Sequence, residues 1–254
     1  MTRLLASIAN LDELPPVLAG GADLIDVKNP AKGALGAAPI TTIRAIVAAV
    51  GGRRQVSATL GDLPMKPAIL AEAARRTTSE GVDFVKIGFF PGGDYAACAA
   101  TLESVATEGA RLVAVLFADR SPEFGILDLI AEAGFAGAML DTADKTRGAL
   151  PDHLSVQRLT DFIAQARQLG LMTGLAGSLR LEHIASLAAL GPDYLGFRGA
   201  LCTGERTDRI DPYRVSAVRQ ALDAASNATA AAGAAIAAAS RNSSEPSRVS
   251  ARSR

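Results

Sequence analysis

The sequence predicts a single (β/α)8 barrel of the TIM type, followed by a C-terminal tail that is disordered. Eight short apolar, β-branched runs alternate with amphipathic segments at nearly even spacing over residues 1–225. This alternation is typical of a parallel sheet covered by helices, and eight repeats favour a closed barrel over a doubly wound open sheet. We therefore expect a catalytic barrel domain at residues 1–225 and a separate tail at residues 226–254.

The strands are predicted where apolar residues run together and are then stopped by glycine, proline or a charged residue. Pro30, for example, ends the second strand because proline has no backbone N–H to donate to a neighbouring strand. The expected strands lie at residues 3–9, 24–28, 55–60, 84–88, 111–118, 136–140, 172–176 and 194–197.

The helices are predicted between these strands from their start and stop residues. Gly20 and Gly21 follow the first helix, Gly51 follows the second, and Pro67 suits the first turn of the third. The expected helices lie at residues 11–19, 41–50, 68–79, 95–107, 123–133, 155–169, 182–190 and 212–225.

The tail differs from the barrel in composition. Residues 227–240 are mostly alanine and are compatible with a helix, but they are too weakly apolar to span a membrane. Residues 241–254 are rich in serine and arginine and lack the side chains to form a core, which predicts disorder.

Composition excludes several classes of function. The formal net charge is zero and aromatic residues make up 4%, whereas a nucleic-acid-binding protein would show a basic face or stacking aromatics. The two cysteines have no metal-like spacing, and residues 1–10 are too short for a secretory signal. We expect a cytoplasmic enzyme without metal or cofactor that binds neither nucleic acid nor membrane; a homo-oligomer is left open.

Lysine usage gives the main functional indication. The chain has 26 cationic residues, of which 21 are arginine and five are lysine, and every lysine lies at a predicted strand end or in the loop just after a strand. Arginine cannot deprotonate to act as a nucleophile or base, so a lysine kept in such a chain indicates a position that needs a primary amine. The five lysines are Lys28, Lys32, Lys66, Lys86 and Lys145.

The predicted active site is at the carboxyl ends of the second, fourth and sixth strands. Asp26 and Lys28 are two residues apart on the second strand, so they point to the same side and are expected to pair. Lys86 lies on the fourth strand, and Asp141 and Lys145 follow the sixth. Alternate strands of such a barrel fill the same interior layers, so these amines and carboxylates are expected to converge.

Clustered amines lower each other's pKa, and a neutral lysine can attack a carbonyl to form a Schiff base. From the residues alone, a structural ion pair of Asp26 and Lys28 at the rim of the barrel is equally compatible.

A phosphate site is predicted at the ends of the last two strands. Gly177 and Ser178 follow the seventh strand, and Arg198 and Gly199 follow the eighth. Barrels of this type commonly bind phosphate at these two loops. Arg206, in the loop that follows, either adds positive charge to this site or is a solvated loop residue.

Four segments resemble the (5-formylfuran-3-yl)methyl phosphate synthase family, also described as 4-(hydroxymethyl)-2-furancarboxaldehyde phosphate synthases, of methanofuran biosynthesis. They are residues 22–30, 56–64, 138–142 and 175–178, which read ADLIDVKNP, VSATLGDLP, AMLDT and LAGS. The resemblance runs from about Leu4 to the helix after the eighth strand and does not include the tail.

The resemblance implies an enzyme that condenses two molecules of glyceraldehyde 3-phosphate, releasing phosphate and water. It also implies that Lys28 forms the Schiff base, with Lys86, Lys145, Asp26 and Asp141 around it. Two other functions remain open from the residues: another lysine Schiff-base aldolase of phosphorylated sugars, and a non-catalytic barrel that binds a phosphorylated metabolite.

Overall fold

The computed structural model shows a closed barrel of eight parallel strands, which confirms the predicted fold class. The structure describes the backbone of residues 1–242 and the side chains of residues 1–228 and 231. Each strand pairs with the next one along the chain, and the eighth closes the barrel on the first. The strands are β1 (Arg3–Ile8), β2 (Leu24–Val27), β3 (Gln55–Thr59), β4 (Phe84–Gly88), β5 (Leu112–Phe117), β6 (Gly137–Asp141), β7 (Met172–Leu175) and β8 (Tyr194–Phe197).

Helices connect successive strands and cover the outside of the barrel. They are α1 (Leu14–Ala19), α2 (Ile40–Val50), α3 (Pro67–Thr78), α4 (Tyr95–Thr107), α5 (Ile126–Glu132), α6 (Leu150–His153), α7 (Val156–Gln168), α8 (Ile184–Ala189) and α9 (Pro212–Asn242). The short helix α6 lies in what the sequence predicted to be a loop. Among the described helices, none combines the length and the apolar character needed to cross a lipid bilayer.

The first helix begins later than the sequence predicted. Residues Leu11–Glu13 form a 3-10 turn capped by Asn10, and the α-helix starts only at Leu14. Pro15 and Pro16 have no N–H to donate, so they are tolerated only in the first turn of an α-helix, and the helix must start just before them. This 3-10 turn places Glu13 at the carboxyl end of β1.

The interior of the barrel is filled below the site. Apolar side chains at or before the midpoint of their strands form a continuous buried layer, so the barrel is a packed core open at its carboxyl end. The main members of this layer are Leu5, Leu24, Phe84, Val113, Met139 and Tyr194.

The last helix continues past Ala225, where the sequence predicted its end. It runs to Asn242, so the alanine-rich segment is helical. The remainder of the predicted disordered tail, residues 243–254, lies outside the described residues. The division into a domain at 1–225 and a tail at 226–254 stays a prediction.

Candidate active site

Asp26 is completely buried near the end of β2 and accepts hydrogen bonds from both neighbouring strands. It lies in register with Ser7 of β1 and Ser57 of β3, whose hydroxyl groups donate to its two oxygens at 2.8 and 2.7 Å. Burial alone would raise the pKa of Asp26, but the charges of Lys86 and Lys28 and the Ser57 hydroxyl together hold it below its ordinary value.

Asp26 forms its ion pair with Lys86, not with Lys28 as the sequence predicted. The Lys86 amine on β4 lies 3.0 Å from Asp26 Oδ1, and both side chains are buried. Same-side neighbours on one strand are about 6.6 Å apart along it, and their side chains run parallel rather than towards each other. The partner of Asp26 therefore comes from across the barrel.

Lys28 is left as a buried amine without a partner. The residue is only 6% exposed, and within the described part of the chain its side-chain nitrogen Nζ has neither a hydrogen bond nor an ion pair. Burial lowers the pKa of Lys28 from 10.5 to about 8; Lys86 and Lys145 add to this, while Asp141 and Asp26 act against it. A substantial fraction of this amine is therefore neutral just above neutral pH.

Asp141 and Lys145 form a second ion pair at the end of β6. The Lys145 amine donates to Asp141 Oδ1 and, at 2.6 Å, to the carbonyl oxygen of Thr142. Burial alone would raise the pKa of Asp141, but Lys145 and Lys28 lower it to about 2. Asp141 is therefore ionised at neutral pH.

Two loops of the site are each held by an aspartate from a neighbouring loop. The loop after β2 is held from the loop after β3, and the loop after β6 is held from the loop after β5. Asp62, after β3, accepts the N–H of Ala34 at 3.0 Å. Asp119, after β5, accepts the N–H of Ala143 at 2.7 Å. Because the loop after β6 carries Lys145, Asp119 fixes the backbone that positions this amine.

The structure brings all five predicted catalytic residues together. A cavity of about 500 Å3 opens at the carboxyl ends of the strands and is lined by Lys28, Lys86, Asp141 and Lys145, with Asp26 directly beneath. Lys32, which ends a 3-10 turn after β2, and Lys66, which directly precedes α3, lie exposed at the same end of the barrel. The lysine distribution in the sequence thus located the cavity correctly.

The turn after β7 forms part of the cavity wall. Gly177 and Ser178 both line the cavity and have positive φ angles, of 111° and 48°. A Cβ atom at Gly177 would lie 2.9 Å from Thr142 Cγ2, so only glycine fits there. Gly199 also lines the cavity and begins a 3-10 helix, where the first N–H groups have no intrahelical acceptor.

Arg198 lines the same cavity, but its side-chain N–H groups are engaged by the protein, and its role in phosphate binding stays a prediction. It is 7% exposed, and all five of its N–H donors are taken by protein acceptors. Two donate to the Glu13 carboxylate, and the other three to the carbonyl oxygens of Ser7, Arg206 and Asp208. Its guanidinium therefore joins the end of β1 to the loop after β8.

Replacing Arg198 with alanine is expected to lower the free energy of unfolding by about 3–5 kcal/mol, because Glu13 would stay buried without a partner. Urea denaturation followed by circular dichroism measures this loss. Arg209→Ala, at an exposed position close by, is the matched control and should change stability by less than about 0.5 kcal/mol. If the Arg198→Ala protein has normal stability and a raised KM, the side chain of Arg198 binds the substrate instead of stabilising the fold.

Glu13 was missed by sequence reasoning. It follows a strand after several intervening residues, and acidic residues in that position are usually solvated. Its carboxylate is nevertheless buried and also accepts the N–H of Ala9 at 2.7 Å. An inspection of charged residues at the carboxyl end of every strand would have included it.

The histidines and cysteines are not part of the cavity. His183 Nδ1 accepts the N–H of Arg180 at 3.1 Å as a helix cap, and Cys98 and Cys202 are buried and free. Within the part of the chain that the structure describes, there is no cluster of three or more His, Cys, Asp or Glu that could hold a metal ion.

Comparison with known proteins gives concordant results. A family model described as 4-HFC-P synthase matches residues 4–219. A protein of Methylorubrum extorquens, provisionally named (5-formylfuran-3-yl)methyl phosphate synthase, is 45% identical over 90% of this chain and 95% of its own length. The (5-formylfuran-3-yl)methyl phosphate synthase of Methanopyrus kandleri is 40% identical over 82% of this chain and 91% of its own.

Solved structures with the same fold are more distant in sequence. The 3-hexulose-6-phosphate synthase of Salmonella typhimurium superposes with a TM-score of 0.65 at 15% identity, covering 87% of this chain and 98% of that one. Phosphoribosyl anthranilate isomerase of Thermus thermophilus gives 0.64 at 16% identity, covering 88% and 99%. At these identities the likeness extends to the barrel fold alone.

Proposed function

Because the chain belongs to the (5-formylfuran-3-yl)methyl phosphate synthase family of methanofuran biosynthesis, we propose that it condenses two molecules of glyceraldehyde 3-phosphate through a Schiff base on Lys28. The balanced reaction forms one furan aldehyde phosphate and releases one phosphate and two molecules of water. Carbon–carbon bond formation between two aldehydes needs one of them to become a nucleophile. An imine allows this, because it withdraws electrons from the neighbouring carbon.

The observation that carries the proposal is the unpartnered amine of Lys28. A nucleophilic lysine must be neutral and free of a hydrogen bond that would occupy its lone pair. Burial lowers the pKa of this amine to about 8, whereas the Lys86 and Lys145 amines are engaged by Asp26 and Asp141. Lys28 is thus the lysine of the cavity that is available to attack.

The remaining groups of the cavity serve proton transfer. After Lys28 attacks the aldehyde, the carbinolamine loses water to form the imine, and removal of a proton from the adjacent carbon gives an enamine. This enamine attacks the second aldehyde, which forms the new carbon–carbon bond and regenerates an imine. Ring closure onto the imine carbon then releases the Lys28 amine, and the loss of phosphate and water completes the furan. Asp141, Lys145 and Lys86 line the same cavity and can accept or donate these protons. Asp26 is a positioning residue that holds Lys86.

The substrate phosphate is assigned to the backbone of the last two loops. Gly177, Ser178 and Gly199 line the cavity, and backbone N–H groups in these two loops bind phosphate in many barrels. The phosphate would lie on the β7–β8 side of the cavity, with the aldehyde end of the triose directed towards the Lys28 amine.

The test is to incubate the purified protein with glyceraldehyde 3-phosphate and follow furan-type ultraviolet absorbance together with free phosphate. We expect one phosphate for every two trioses consumed, and Lys28→Arg protein gives the background. A different lysine aldolase would consume the triose without furan absorbance and without phosphate release. The absence of furan absorbance, or the absence of phosphate release, would contradict the proposal.

The rate is expected to rise with pH through about 8. Lys28 reacts as the neutral amine, so kcat/KM should fall about tenfold for each pH unit below its pKa of about 8. Asp141, with a pKa of about 2, stays ionised and adds no step in this range. The second ionisation of the substrate phosphate, near pH ~6, is separate. A profile that stays flat from about pH 6 to 9 would contradict Lys28 as the nucleophile.

A further inference from the structure

Arg206 is a cation on the wall of the cavity that the mechanism above does not use. Its side chain is half-buried, and among the described residues it has no carboxylate within ion-pair distance. Nη2 donates to the carbonyl oxygen of Gly33 at 3.3 Å, near the upper limit for a hydrogen bond. A half-buried guanidinium with unused donors on a cavity wall is suited to bind an anion.

The side chain of Arg206 reaches from the loop after β8 to the loop after β2. Its Cβ atom lies 3.9 Å from where a Cβ atom at Gly199 would be, beside the phosphate turn proposed above. Its guanidinium reaches Gly33, in the loop after β2. The side chain therefore leads away from the Gly199 turn towards the loop that follows β2 and Lys28.

The backbone that carries Arg206 is held on both sides. Residues 203–209 form a loop closed by an antiparallel bridge between Cys202 and Ile210 and by the bond from Thr203 N to Arg209 O at 3.1 Å. This segment is called the 203–209 loop below. Its closed ends limit how far the side chain of Arg206 can move.

The Glu13–Arg198 ion pair fixes the middle of the 203–209 loop. Arg198 donates from Nε to the carbonyl oxygen of Arg206 at 2.8 Å, and from Nη2 to that of Asp208 at 3.0 Å. Arg198 is itself oriented by the carboxylate of Glu13, which lies at the end of β1. The buried carboxylate of Glu13 thus orients Arg198, and Arg198 in turn fixes the backbone that carries Arg206.

We propose that Arg206 binds a second substrate phosphate next to the loop after β2, and that Glu13 and Arg198 are the positioning residues that hold Arg206 there. The inference rests on the proposed function, because two trioses bring two phosphates into the cavity. The backbone turns at Gly177 and Gly199 hold one. The guanidinium of Arg206 points away from those turns. When the second phosphate binds, this guanidinium gives up its hydrogen bond to the carbonyl oxygen of Gly33 and donates to the phosphate instead.

Titration of the full-length protein with inorganic phosphate tests this without turnover. Arg206→Gln is expected to weaken phosphate binding by about 10- to 100-fold, the value of one or two charge-assisted hydrogen bonds. Arg209→Gln, in the same loop but exposed, is the matched control and should stay within about twofold. Melting temperatures of both proteins confirm that they fold.

Glu13→Gln tests the positioning role. It should weaken phosphate binding less than Arg206→Gln does, and the double variant should bind no more weakly than Arg206→Gln alone, because Glu13 acts through Arg206. Additive losses would contradict the positioning role.

Substrate kinetics give a second readout. Arg206→Gln should raise the KM for glyceraldehyde 3-phosphate more than it lowers kcat, because it removes a contact to a phosphate that does not react at the imine. Unchanged phosphate binding in folded Arg206→Gln protein, or no phosphate binding by the wild type, would overturn the inference. Failure of the wild type to make a furan would instead overturn the proposed function. The two failures can be told apart, because the phosphate titration does not require turnover.

Discussion

Replacing Lys28 with arginine is expected to reduce furan synthesis by on the order of 10^3-fold or more while the protein still folds. Arginine keeps the positive charge, but its guanidinium cannot lose the proton that nucleophilic attack requires. The cavity of about 500 Å3 beside Lys28 has room for the larger head group. Lys28→Met, which removes the amine and keeps the length, should be equally inactive if the arginine variant proves unstable.

Chemical trapping identifies the reacting nitrogen directly. Borohydride added during turnover reduces an imine to a stable secondary amine, so mass spectrometry of the digested protein should find the adduct at Lys28. Lys32→Arg is the matched control, because Lys32 is exposed in the next loop and should be dispensable. An adduct that maps to Lys86 or Lys145, or substantial activity of Lys28→Arg, would show that another amine is the nucleophile.

Replacing Asp26 with alanine is expected to lower the free energy of unfolding by about 3–5 kcal/mol. The change leaves the buried amine of Lys86 without its carboxylate, and it removes the acceptor of the Ser7 and Ser57 hydroxyl groups. An unpaired charge and two unsatisfied hydroxyl groups in the same interior are together far more costly than the lost contacts alone. Urea denaturation of the variant and the wild type measures the difference.

A double variant separates stability from chemistry. Asp26→Ala combined with Lys86→Met removes both charges, so it should recover a large part of the lost stability. It should remain impaired in furan synthesis, because Lys86 is proposed to move protons in the cavity. A single Asp26→Ala variant that loses less than about 1 kcal/mol would contradict the view that Asp26 anchors Lys86.

The strand positions were predicted closely from the sequence, whereas helix starts were less accurate. The predicted fourth strand, at residues 84–88, agrees with β4 (Phe84–Gly88), because its apolar run ends sharply in glycine and aromatic turn residues. The first helix was placed at residue 11, where the structure has a 3-10 turn. The proline pair after Leu14 shifts the α-helix to a later start, and this consequence of proline was available in the sequence.

The location of the cavity was also contained in the sequence. In a parallel barrel every strand points the same way, so a residue at the end of any strand lies at the same end of the molecule. The order of strands and the positions of Lys28, Lys86 and Asp141 along them were therefore enough to bring these residues together. This is why the sequence alone assigns five residues from distant parts of the chain to one cavity.

The choice of partners within that cavity was decided only by the tertiary structure. Asp26 pairs with Lys86 rather than with Lys28, which is only two residues away in sequence. Arg198 pairs with Glu13 across 185 residues of sequence. A sequence determines which strand a side chain belongs to and the face to which it points. Ion pairing depends on separations of a few ångströms between side chains of different strands, and those separations are set by register and packing. The amine of Lys28 is free because the tertiary structure pairs Asp26 with Lys86 and Asp141 with Lys145.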